Sequence, residues 1–198
     1  MSICRPVFSR SWPKSGGPGT SEGEDDEVTQ KITPLVLSAV IVVIDQFTKA
    51  IIVFAVEPVY RSGYVIHVIG DFLRIIHARN PGIAFSIGRD LPDPVRTVLF
   101  AAIPIVVLVL LFMYYWRSDE FSRVQRWAIA GILGGGAGNL VDRVFRPDGV
   151  VDFIDVRIYG LFGMERWPTF NVADASVVVG GITLVVTLFV MERRRVRE

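Results

Sequence analysis

The chain has 198 residues, 51% of them hydrophobic, and a formal net charge of +1. A balance so near neutral gives no basis for a nucleic-acid partner. The single cysteine, Cys4, excludes an intramolecular disulfide and any zinc-type cysteine spacing.

Residues 1–30 are rich in Ser, Gly and Pro and carry the acidic run Glu22, Glu24, Asp25, Asp26, Glu27. Arg5, Arg10 and Lys14 look like the start of a signal peptide, but no apolar core follows them. Such a composition cannot bury a core, so a disordered cytoplasmic tail is expected over 1–30 and a membrane domain over 31–198.

The membrane reading rests on apolar block length, because about 20 residues span the hydrocarbon core. The first block, residues 35–56, is interrupted by Asp45, Gln46, Thr48 and Lys49. Residues 57–94 then hold two β-branched runs, 64–69 and 72–76, on either side of Gly70-Asp71, the pattern of a β-hairpin. His67 and His77 lie apart in this extended stretch, and no metal site is expected from them. The second block, residues 95–116, has Pro104 as a kink and ends in the aromatic belt Tyr114-Tyr115-Trp116. The third, 127–144, is the least apolar, with Asn139, Asp142 and Arg143 at its end. Residues 145–170 contain a strand-like run at 150–156. The fourth block, 173–191, carries Asp174 at its start.

An all-α polytopic membrane protein is therefore expected: a four-transmembrane-helix bundle with a small extracytoplasmic β-element. The basic tail Arg193-Arg194-Arg195-Val196-Arg197 and the basic connection Arg117, Arg123, Arg126 place both termini on the cytoplasmic side. Arg61, Arg74, Arg79 and Arg89 weaken that bias, but they are spread over a longer loop.

An ionisable group within a span costs about 3 kcal/mol, so each needs a partner or a role. Asp45 and Lys49 share a helix face and can pair. Gly131/Gly135 and Gly134/Gly138 are spacings that let another helix approach closely. Asn139 and Asp142 share the face that follows, and Asp142 next to Arg143 reads equally well as an interfacial ion pair. Asn171 and Asp174 have the spacing of an N-cap and its capping box. Asp152 and Asp155, in the strand-like run, taken singly would be solvated side chains.

On the four-helix topology, Asp45, Asn139, Asp142, Asp152, Asn171 and Asp174 all fall at one membrane face. Converging carboxylates, with no Cys cluster and no Ser/His arrangement, point to acid–base chemistry in which one carboxyl keeps a proton while another activates water.

Five ordered motifs carry a resemblance to the lipoprotein signal peptidases, also called signal peptidase II: Asp45-Gln46-Phe47-Thr48-Lys49, Asn80-Pro81-Gly82-Ile83-Ala84-Phe85-Ser86, Gly138-Asn139-Leu140-Val141-Asp142-Arg143, Val150-Val151-Asp152-Phe153-Ile154-Asp155 and Phe170-Asn171-Val172-Ala173-Asp174. The resemblance covers roughly residues 33–191. It implies that Asp152 and Asp174 are the catalytic pair and that Asp155 is structural or solvated. Asp45, Lys49, Asn80, Gly82, Asn139, Asp142, Arg143 and Asn171 are then supporting or substrate-side residues. It implies no cofactor and no metal, and inhibition by globomycin. The implied substrate is a diacylglyceryl-modified prolipoprotein cleaved just before its lipidated cysteine, by a monomeric enzyme among membrane lipids. Its active site would face the extracytoplasmic side of the inner membrane. The acidic N-terminal extension departs from the shorter family pattern. Two other classes compete. A small ion or proton transporter would want polar groups through the whole membrane depth, and an assembly factor using the glycine face would not need both Asp152 and Asp174.

Overall fold

The computed structural model describes residues 21–81 and 93–195. In chain order these form α1 (Ser21–Ala55), a short α2 (Val59–Ser62), β1 (Ile66–Ile69), β2 (Leu73–Asn80), α3 (Asp93–Arg117), α4 (Arg123–Phe145), β3 (Val150–Val156), a 3-10 turn (Leu161–Gly163) and α5 (Val172–Arg195). Gly82 lies outside the described residues, as do residues 1–20 of the expected tail. Helix α1 begins at Ser21, so the boundary expected at residue 30 falls inside a helix.

Three helices contain segments long and apolar enough to cross a membrane: Val28–Ala55, Val98–Arg117 and Val172–Arg194. Helix α4 has comparable length but does not pass that test. The reason lies in its position. It packs against α1, α3 and α5, and its sides are buried in protein rather than turned to lipid. A helix covered by neighbours on several sides needs small residues for close approach more than it needs apolar bulk. Gly134 is one such residue: a Cβ there would stand 2.7 Å from Ser38 Cα of α1. At Gly135 a Cβ would stand 2.3 Å from the Ala173 carbonyl oxygen of α5. Each expected small-residue pair serves its own partner: Gly131 and Gly135 meet α5, while Gly134 and Gly138 chiefly meet α1.

The sheet has the order β1-β2-β3 and is antiparallel throughout. The hairpin turns at Gly70-Asp71, as expected, but β2 continues to Asn80, and the run 150–156 pairs with it. Leu73 stands opposite Val156 and Asn80 opposite Val150, with one extra residue on β2 between Ile75 and Ala78. This bulge sets the alignment that puts Ala78 opposite Asp152. The sheet is seated on α1 through Val151 and Phe153, which pack with Ile52 and Val56.

Candidate active site

Three helices and the sheet meet at one end of the bundle. Residue Lys49 of α1 is fully buried, as are Asp45 one turn before it and Asp142 of α4. The ammonium lies 2.7 Å from Asp45 Oδ2 and 3.1 Å from Asp142 Oδ2, and it donates to Asn139 Oδ1 at 2.9 Å. Desolvating one charge is costly, so this ammonium persists only because carboxylates on two helices surround it. The expected Asp45–Lys49 pair is therefore part of a larger cluster. Asp142 does not pair with its neighbour Arg143; its partners are Lys49 and Arg146, one turn further along α4. It also accepts the Val151 N–H at 3.1 Å, which ties α4 to β3.

Asp45 has a second task. Its Oδ1 accepts the Ala173 N–H at 3.0 Å, from the first turn of α5. Gln46 donates to Asp45 Oδ2, Asp142 Oδ1 and the Gly138 carbonyl at 3.2, 3.0 and 2.9 Å. The sequence pattern by itself assigns neither Gln46 nor Arg146 a site role. The spacing of Arg146 from Asp142 was a usable signal. Gln46 shows only as a polar residue within an apolar block, because two of its three partners lie across a helix interface.

Asn139 and Asn171 carry this cluster outward to the other two carboxylates. Asn171, fully buried, donates to Asp152 Oδ1 at 2.7 Å and to Asn139 Oδ1 at 3.1 Å. Asn139 in turn donates to Asp174 Oδ1 at 2.7 Å. The remaining oxygen of Asp152 accepts from Asn80 Nδ2 at 3.1 Å. Asp174 Oδ2 accepts the Asn171 N–H at 3.1 Å, while the Asp174 N–H donates to Asn171 Oδ1 at 2.9 Å. The capping box read in the sequence thus exists, and its acid also belongs to the polar cluster. Capping and site membership are not alternatives here.

The strand separates the two aspartates of its own run. Asp152 and Asp155 are an odd number of residues apart, so they point to opposite faces of the strand. Asp152 meets the two asparagines. Asp155 meets Arg74, at 2.8 and 2.5 Å, and Arg166 at 3.2 Å. It is 3% exposed, so of the structural and solvated readings the structural one holds, as a buried ion pair.

Burial pushes the Asp152 carboxyl up to about 7, and the nearby charge of Asp174 adds to the rise, against hydrogen bonds from Asn80 and Asn171 and the charge of Lys49. The Arg143 guanidinium lies within electrostatic range of Asp174, Asp152 and Asp142. Its Nη1 is buried without a hydrogen-bond partner among the described residues. Arg143 and Asn80 line a small crevice together with Pro81, Phe100 and Gly149. Among the described residues, no three His, Cys, Asp or Glu side chains are placed to hold a metal ion.

Membrane helices converging on an asparagine-bridged pair of carboxylates, one buried and one partly buried, define the class of membrane-embedded acid–base hydrolases. The profile of the family described as Signal peptidase (SPase) II matches residues 37–190, and the chain belongs to that family of aspartic peptidases. It is 46% identical to a lipoprotein signal peptidase of Treponema pallidum (strain Nichols) over 164 residues, covering 83% of this chain and 87% of that one. A lipoprotein signal peptidase of Treponema denticola is 48% identical over 156 residues, covering 78% and 87%. A solved structure described as a bacterial membrane enzyme superposes with a TM-score of 0.67 at 32% identity, covering 79% of this chain and 87% of that chain. A transporter is not favoured by these relations.

Proposed function

We propose that the chain removes the signal peptide from diacylglyceryl-modified prolipoproteins, cutting just before the lipidated cysteine, with Asp152 and Asp174 as its catalytic pair. The observation that carries this reading is the bridge Asp152–Asn171–Asn139–Asp174, which holds two carboxylates in one partly dehydrated site. Two such groups do not both ionise freely. Burial favours the protonated form of Asp152, so Asp152 serves as the proton holder and Asp174 acts on water. The carboxylate takes a proton from water, the oxygen attacks the scissile carbonyl, and the protonated partner polarises that carbonyl before passing its proton to the leaving amine. Lys49, Asp45, Asp142 and Asn171 position this pair. Asn80 and Arg143, in the crevice beside it, contact substrate, with Gly82 nearby in the chain.

Helix α4 counts as a fourth span on this reading, since it lies alongside three lipid-length helices. The enzyme is then a four-span monomer with both termini cytoplasmic and the carboxylates towards the extracytoplasmic face. Burial of acyl chains contributes about 0.8 kcal/mol per methylene, which makes the lipid a large part of substrate recognition. The test is cleavage of a lipidated preprolipoprotein by the purified chain, with and without globomycin, beside the same substrate lacking its diacylglyceryl group. Cleavage of the lipidated form alone, blocked by globomycin, is expected. Equal turnover of both forms would overturn the substrate assignment.

A further inference from the structure

The opposite end of the bundle holds a cavity, walled partly by polar and basic side chains, that the peptidase chemistry does not use. It has a volume of about 200 Å³ and lies between α1 and the start of α4, lined by Thr29, Gln30, Thr33, Arg123, Arg126 and Trp127. Pro34, also in its wall, removes a backbone hydrogen bond from α1 and loosens the helix there. Among the residues whose side chains are described, no carboxylate lines it.

Arg126 is the unusual member. It is 6% exposed, and its guanidinium stacks 5.6 Å above the Tyr115 ring. Nη2 donates to the Ser118 carbonyl at 3.2 Å, but Nη1 is buried without a partner among the described residues. A buried cation with an unspent donor is costly unless an anion completes it. Asp119, on the loop just before α4, is engaged by Lys31 at 2.6 Å. Two further features raise the positive potential. Arg123 stands at the rim, and the positive end of α4 begins there, with Ser122 capping only the Gln125 N–H. Trp127, Tyr114 and Trp116 mark this end as headgroup depth, where basic pockets between helices hold anionic lipid.

We propose that this cavity binds a phosphate group, that of an anionic phospholipid headgroup, through Arg126, Arg123 and Gln30. The site is independent of the catalytic assignment. The test uses the full chain purified in neutral detergent, with bound lipid counted by native mass spectrometry. Phosphatidylglycerol is expected to be retained about tenfold or more over phosphatidylcholine, and Arg126→Gln and Arg123→Gln each to weaken it by a similar factor. Prolipoprotein cleavage in detergent should stay unchanged, because the carboxylates lie at the other end. Displacement by millimolar inorganic phosphate would assign free phosphate as the source; resistance to it would assign the lipid. Both support the site. Should Arg126→Gln fail to fold, the exposed Arg123 carries the test. No preference for phosphatidylglycerol, or equal retention by wild type and variants, would overturn the proposal.

Discussion

Replacing Asp174 with Asn separates chemistry from helix capping, and the structure allows the two costs to be estimated apart. Both oxygens of Asp174 accept hydrogen bonds, one from Asn139 Nδ2 at 2.7 Å and one from the Asn171 N–H at 3.1 Å. An asparagine supplies one acceptor and turns an NH2 towards the other donor. Asn139 cannot flip to compensate, because its Oδ1 already accepts from Lys49 and Asn171. One buried donor is left unmet, a cost of about 1–3 kcal/mol. For a chain of this size that lowers Tm by roughly 2–12 °C. Loss of the titrating group is far larger in rate: a general acid–base step is worth about 10²–10⁴-fold, and failure of the pair as a unit costs more. Turnover of a lipidated preprolipoprotein at saturating substrate, measured well below the variant's Tm, should therefore fall by at least two orders of magnitude while the protein stays folded. Turnover within tenfold of wild type, with the Tm loss present, would leave Asp174 as a cap and refute its catalytic role.

Asp155→Asn should behave in the opposite way, losing stability through its buried contacts with Arg74 and Arg166 while a correctly folded fraction keeps its specific turnover; loss of turnover in folded protein would contradict the split between strand faces. Lys49→Met leaves Asp45 and Asp142 without their shared cation and should cost about 3–5 kcal/mol, read as a fall in Tm in detergent, partly recovered by adding Asp45→Asn. With the Asp152 carboxyl raised to about 7, its proton is held below that pH and lost above it. Cleavage should accordingly decline as pH rises through about 7, and an activity that stays flat from pH 6 to 9 would exclude Asp152 as the proton holder. Gly135→Ala forces a methyl against the Ala173 carbonyl, so it should cost about 1–3 kcal/mol and also lower turnover by shifting Asp174; a variant with wild-type Tm would show that the α4–α5 approach is looser than described.

Much of this protein is legible in one dimension because lipid imposes simple length rules. Apolar block length located three membrane-length helices and placed the α4 segment within a few residues, and β-branched alternation around Gly70-Asp71 revealed the hairpin. The five motifs and their order sufficed to indicate the family. Tertiary structure decided what depends on contacts between distant segments. Asp142 could read as the partner of Arg143 until packing brought Lys49 from another helix beside it. Asp152 and Asp155 look alike in sequence, and only the strand pairing turns one towards Asn171 and the other towards Arg74 and Arg166. The glycines of α4 read as one face but admit α1 at Gly134 and α5 at Gly135, because consecutive residues project about 100° apart around a helix. Gln46 stands out in the sequence only as a polar residue in an apolar block; its partners on α4 do not, since hydrogen bonds across a helix interface leave no local periodicity. Local pattern determines where each helix and strand forms; which carboxylates share a proton depends on how close the helices pack.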